Sequence, residues 1–179
     1  MRRMTPFSDW SARLPPTSPL LAECITVSGS LTNYLMATGH DFAVSVLQQG
    51  NDAIHADETA LFELTPDSQL HARHVSLSLA GKPVVVARSV CLPACPVWRP
   101  ILERGSRSLG LTLFGGLPQL QRGELSFAEL RAGHPLFALA QAHDPHGSSR
   151  YLARRCRFEL DGQGLLVCEI FLPELEQLL

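Results

Sequence analysis

No apolar run in this 179-residue chain approaches the roughly 20 residues that span a bilayer, so nothing points to membrane insertion. The basic start, "MRRMTPFSDWSARLPPTSP", has no apolar segment behind it and does not make a secretory signal. The default compartment is the cytoplasm. Charge of one sign is not in surplus either. The formal net charge is −2, which removes any bulk-field reason to expect nucleic acid or an anionic membrane as partner. The five cysteines (Cys24, Cys91, Cys95, Cys156 and Cys168) are odd in number and irregular in spacing, which argues against a disulfide framework. Cys91 and Cys95 lack the second pair that a zinc site needs, and they read as small hydrophobes. There is no internal repeat, Gly-rich phosphate loop, Ser-His-Asp arrangement or zinc signature.

What is present is the balance of an ordinary globular domain, with 45% hydrophobic and 18% charged residues. Residues 1–19, rich in proline, read as an irregular lead-in, and 20–179 as one domain. "SPLLAECI" predicts a short helix. "SGSLTNYLMATG" predicts another, starting at Ser28 or Ser30 and stopping at Gly39. "FAVSVLQQ" is a strand. "HARHVSLSL" and "PVVVARSV" form an antiparallel hairpin about "AGK", and "YLARRCRFEL" and "LLVCEIFL" form a second about "DGQG". "GELSFAELR" alternates like a strand, and "VWRPILERG" reads as a helix broken by Pro100. About five strands with intervening helices predict an α+β fold: a single antiparallel sheet with helices on one face.

Strand parity singles out three charges. Arg73 shares its strand face with Val75, Leu77 and Leu79; Arg88 with Val84, Val86 and Val90; Glu169 with Leu165, Val167 and Phe171. A two- or four-residue turn at Gly81 places Arg73 and Arg88 on the same side of the sheet. Such charges form either a buried ion-pair network or a pocket for a small anion with a proton to move. Two serines, in "SGSLT" and "SRSLG", precede Leu31 and Leu109 at apparent helix starts, whose main-chain N–H groups are free donors. Taken alone, each reads first as an ordinary serine cap. One arginine of "RRCR" (Arg154, Arg155, Arg157) is expected to neutralise a neighbouring acid. "HDPH" (His143 to His146) reads as a solvated loop.

These pieces, with "GSLTNYL", "SLGLTLF", "LQRGELSFAEL", "YLARRCRFELDGQGLLV" and the ending "CEIFLP", occur in an order that resembles the bacterial chorismate pyruvate-lyases of ubiquinone biosynthesis over roughly residues 20–175. The resemblance implies an antiparallel sheet with helices on one face. It also implies conversion of chorismate to 4-hydroxybenzoate and pyruvate with no metal or organic cofactor. It places the catalytic glutamate on Glu169 and the carboxylate-binding arginine on Arg73, with Leu31 and Leu109 as ligand-contacting positions. Arg88 or Arg155 would assist the departing pyruvate. The expected partner is chorismate alone, on a monomer that binds no nucleic acid. Cys156 stands where the "RRSR" form has serine, and His71 where a large aromatic often precedes the arginine. Two other readings stay open: a sensing domain of the same fold that binds an aromatic carboxylate, and a lyase acting on a modified chorismate. Glycines near residues 28–31 and 106–110 predict a lid over an enclosed site.

Overall fold

The computed structural model describes residues 10–179. Two hairpins organise the sheet, and both turns use the backbone their residues favour. Ala80 (φ 48°) and Gly81 (φ 76°) join β2 (Gln69–Leu79) to β3 (Lys82–Cys91). Asp161 (φ 51°) and Gly162 (φ 72°) join β6 (Arg150–Leu160) to β7 (Gln163–Phe171). Positive φ at both central residues is the two-residue turn whose twist matches that of the strands. β1 (Phe42–Ala53) pairs with β2 at one edge, and β3 pairs with β7 at the centre. Two strands lie beyond β6: the two-residue β4 (Gln121–Arg122) and β5 (Ser126–Arg131). The result is one seven-stranded, wholly antiparallel sheet. The expected α+β class and single antiparallel sheet are present, with β4 too short for periodicity to show.

One face of the sheet, the cavity face, is covered by α1 (Pro19–Thr26), α2 (Leu31–Met36), α4 (Trp98–Leu102), α5 (Leu109–Phe114) and α7 (Glu174–Leu178). Ile25, Leu35 and Leu175 pack there against Val75, Leu77, Val85 and Phe171. Trp98 and Leu102 pack against Phe158, Leu165 and Val167. α4 runs through Pro100 rather than breaking there. Pro100 is its third residue, in the first turn, where the missing N–H costs no intrahelical bond. The far face is also apolar, carrying Ala72, Val86, Val90, Leu166 and Ile170. It is covered by α6 (Pro135–Gln141) and, at its rim, by α3 (Thr59–Phe62). Helices therefore lie on both faces, with the greater number on the cavity face.

Of the lead-in, residues 1–9 lie outside the described residues. The segment from Trp10 is tied to the sheet: Ser11 bridges Phe127, and Trp10 Nε1 donates to Asp57 Oδ2 at 2.7 Å.

The hairpin corrects the placement of Arg88. The turn has two residues and opens with Leu79 opposite Lys82, a register that would set Arg73 opposite Arg88. A bulge intervenes: Ser78 pairs with Pro83, but Leu77 pairs with Val85. The extra residue, Val84, shifts the rest of the strand by one, so Arg73 faces Ser89 and Arg88 faces His74. A one-residue slip turns every later side chain to the other face. Arg88 therefore leaves the cavity face. Buried on the far face, it uses all five of its N–H donors. Glu58 accepts at 2.8 and 3.0 Å, Asp52 at 2.5 Å, the Ala53 carbonyl at 3.1 Å and His74 Nε2 at 3.0 Å. Arg155 is on the far face too, 4.5 Å from the Trp10 ring centre and 3.6 Å from the Asp57 carboxylate. Neither can assist a ligand on the cavity face. For Arg88 the buried-network reading is the one the fold realises.

Candidate active site

On the cavity face, α2 and α5 stand away from the sheet and leave a partly enclosed space between them and the strands. The sheet forms its floor, with Arg73, Val75 and Leu77 from β2, Ala87 and Ser89 from β3, and Val167 and Glu169 from β7. The two helix starts form its roof. Ser30 Oγ accepts from Asn33 N and caps α2; Ser108 Oγ accepts from Leu111 N and caps α5. Leu31 and Leu109 are thus the first residues of their helices, as the serine spacing predicts, and both line the cavity. Thr32 and Ser108 join the helix starts through a 2.6 Å hydroxyl contact. The structure brings together Leu31, Arg73, Leu109 and Glu169, and excludes Arg88 and Arg155.

Arg73 is 3% exposed. Its Nη2 donates to the carbonyls of Gly105 (2.8 Å) and Arg107 (2.9 Å), and its buried Nε has no hydrogen-bond partner. Among the described residues no carboxylate pairs with it. Burial pushes its pKa below the ordinary arginine value. A buried guanidinium held only by carbonyl dipoles, with a donor to spare, has room for an anion.

Glu169 is not alone. Arg154 lies directly opposite on β6, and its Nε donates to Glu169 Oε2 at 2.5 Å, while its Nη1 reaches the carbonyls of Ile25 and Val27. The expectation that one arginine of "RRCR" neutralises an acid is met by Arg154. The Glu169 side chain keeps 18% of its surface exposed. Ser89 pairs with Arg73 and Val167 with Ser89, while Glu169 is two residues further along β7. The two Cα positions are thus about 10 Å apart across the strands and about 7 Å along them. Both side chains line the same cavity.

Two groups here escape the parity argument. Arg154 was legible only as one of three candidates. Arg122 lines the cavity from the two-residue β4, too short to have a parity, and only its place in "LQRGELSFAEL" marks it. Cys156 also lines the cavity, its thiol pushed up by burial and pulled back by Arg122.

Comparisons with known proteins bear on the family and the fold. The sequence model of the chorismate lyase family matches residues 9–177. A probable chorismate pyruvate-lyase of Nitrosospira multiformis is 34% identical over 174 residues, covering 96% of each chain. One of Thiobacillus denitrificans is 37% identical over 150 residues, covering 82% of this chain and 79% of its own. Among solved structures, the PhnF C-terminal domain superposes with a TM-score of 0.56 at 12% identity, over 78% of this chain and 88% of that one. PhnF from Mycobacterium smegmatis gives 0.50 at 13% identity, over 83% and 65%. The structural likeness speaks to the fold alone. The full-length sequence match decides the family: the chain belongs to the chorismate lyases.

Proposed function

We propose that this protein is a chorismate pyruvate-lyase, releasing 4-hydroxybenzoate and pyruvate from chorismate and so supplying the aromatic ring of ubiquinone. The observation that carries this reading is Arg73: a buried guanidinium on a partly enclosed cavity, with no carboxylate partner among the described residues and a glutamate lining the same space. Chorismate is a dianion with a ring carboxylate, a 4-hydroxyl and an enolpyruvyl ether on C3. In this reading Arg73 binds the ring carboxylate through the donors its carbonyl contacts leave free, helped by the main-chain N–H groups of Leu31 and Leu109. Glu169 meets the 4-hydroxyl end and serves as the acid or base there. Loss of the C4 hydrogen and the C3 oxygen makes the ring aromatic, which drives the reaction. Arg154 holds the Glu169 carboxylate in place.

The test is to incubate the purified protein with chorismate. Equal amounts of 4-hydroxybenzoate and pyruvate are expected. Tight binding of 4-hydroxybenzoate without turnover would mark a binding domain instead. Failure to use chorismate, with turnover of a ring-modified analogue, would mark a different lyase.

A further inference from the structure

Chorismate carries two carboxylates, and Arg73 accounts for one. With Arg88 and Arg155 on the far face, the second must be met by a cation that lines the cavity. Arg154 is committed to Glu169 and to two carbonyls. Arg122 is not. Its Nη1 donates to the Ser28 carbonyl, but its buried Nε has no hydrogen-bond partner, and among the described residues no carboxylate pairs with it. Its guanidinium lies 4.9 Å from the Phe114 ring centre and 6.0 Å from that of Phe158, with the Cys156 thiol beside it. Two aromatic rings flank the half-buried group, yet neither supplies a counter-anion.

We infer that Arg122 is the second carboxylate receptor, binding the enolpyruvyl arm of the substrate. The assignment rests on the chorismate reading of the site. The base takes the C4 proton, and the C4–H electron pair becomes the C3=C4 bond. The C3–O bond breaks, and its pair leaves on the ether oxygen as enolpyruvate, which takes a proton at its methylene carbon to give pyruvate. Negative charge therefore grows on the arm whose carboxylate Arg122 holds, and a fixed cation there favours the transition state over the ground state. Arg73 keeps the carboxylate that survives in 4-hydroxybenzoate; Arg122 holds the one that leaves.

The division of labour gives the test. Chorismate turnover and the calorimetric affinities for chorismate and 4-hydroxybenzoate are measured for the wild type, Arg122→Met, Arg122→Lys and Arg73→Ala. Arg122→Met is expected to lower kcat/KM for chorismate by about 100-fold or more. Its affinity for 4-hydroxybenzoate, which lacks the arm, should change by less than about threefold, since only a group that loses a contact weakens. Arg122→Lys restores part of the turnover, because charge remains though the fork does not. Arg73→Ala weakens both ligands. If Arg122→Met weakens both ligands equally, or neither, Arg122 only latches β4 to the Ser28 segment and the assignment is wrong. Should the wild type bind chorismate without turning it over, the lyase reading falls. Arg122 is then judged on binding alone, standing only if the Met variant loses chorismate and keeps 4-hydroxybenzoate. A wild type that binds neither ligand overturns both.

Discussion

Arg73 and Arg88 are both buried arginines on adjacent strands, and their partners separate their roles. Arg88 is ringed by Glu58 and Asp52, whose hydrogen bonds and charges outweigh burial and raise its pKa. Arg73 has only carbonyls, and burial lowers its pKa. A saturated guanidinium has no donor left for a ligand; an unsaturated one over a cavity does. Arg73→Ala should weaken chorismate and 4-hydroxybenzoate by roughly 2–5 kcal/mol, the cost of losing one partner of a desolvated charge pair. A calorimetric change of less than twofold for the product would make Arg73 structural. Glu169→Gln keeps the shape and removes the titratable group, so turnover should nearly vanish while the melting temperature stays close to that of the wild type. Steady-state kinetics beside thermal melts read both, and wild-type turnover would end the acid/base role.

At the scale of elements, the roof rests on close contacts between two short helices. Gly110 carries no side chain, and a Cβ there would come within 2.9 Å of Thr32 Oγ1 and 3.1 Å of Ser30 Oγ. Gly110→Ala should therefore push α2 and α5 apart and strain the Thr32–Ser108 contact. Under the proposed function the aromatic product keeps its contact with Arg73, so its escape from beneath this roof should limit turnover. Wild-type enzyme is expected to show a burst in the first turnover and inhibition by added 4-hydroxybenzoate. In Gly110→Ala the burst should shrink and the inhibition constant rise. A strictly linear wild-type time course would show that the roof does not govern release. The β2–β3 bulge is the other decisive element, since it converts Arg88 from a site residue into the centre of a network. Arg88→Met leaves Glu58 buried without its cation and should cost roughly 3–5 kcal/mol in urea unfolding, with little effect on product affinity in the folded protein.

For the molecule as a whole, the far-face network makes stability depend on pH. Burial, and then the charge of Arg88, push His74 down to about 4. In the unfolded chain it titrates near 6.5, so unfolding takes up a proton between those values. Stability is therefore full above about pH 6.5 and declines toward pH 4, by up to roughly 3 kcal/mol from this group. Burial alone would raise Asp57, but hydrogen bonds from His134 and Trp10 bring it to about 2, extending the loss below pH 3.8. His55 is also held low by burial and Arg88. Urea midpoints measured from pH 7.5 to 4.5 should fall for the wild type and fall less for His74→Gln. Identical slopes would remove His74 from the account.

Local information determined the segments that become most of the strands, the places of the two hairpin turns, the serine caps that start α2 and α5, and the placing of Arg73 and Glu169 on apolar strand faces. Each of these depends on residues close along the chain, or on a periodicity that a few residues display. The ordered motifs pointed to the same residues, Leu31 and Leu109 among them. Only the tertiary structure decided which charges meet. The bulge at Val84 left no mark in a run of valines that suits either register, yet it sent Arg88 to Glu58 and Asp52, residues far off in the chain. Arg154 found Glu169 through strand pairing, and Arg122 came to the cavity on a strand of two residues. Faces follow from local pattern, but partners across a sheet follow from register, and register is settled by the packing of the whole.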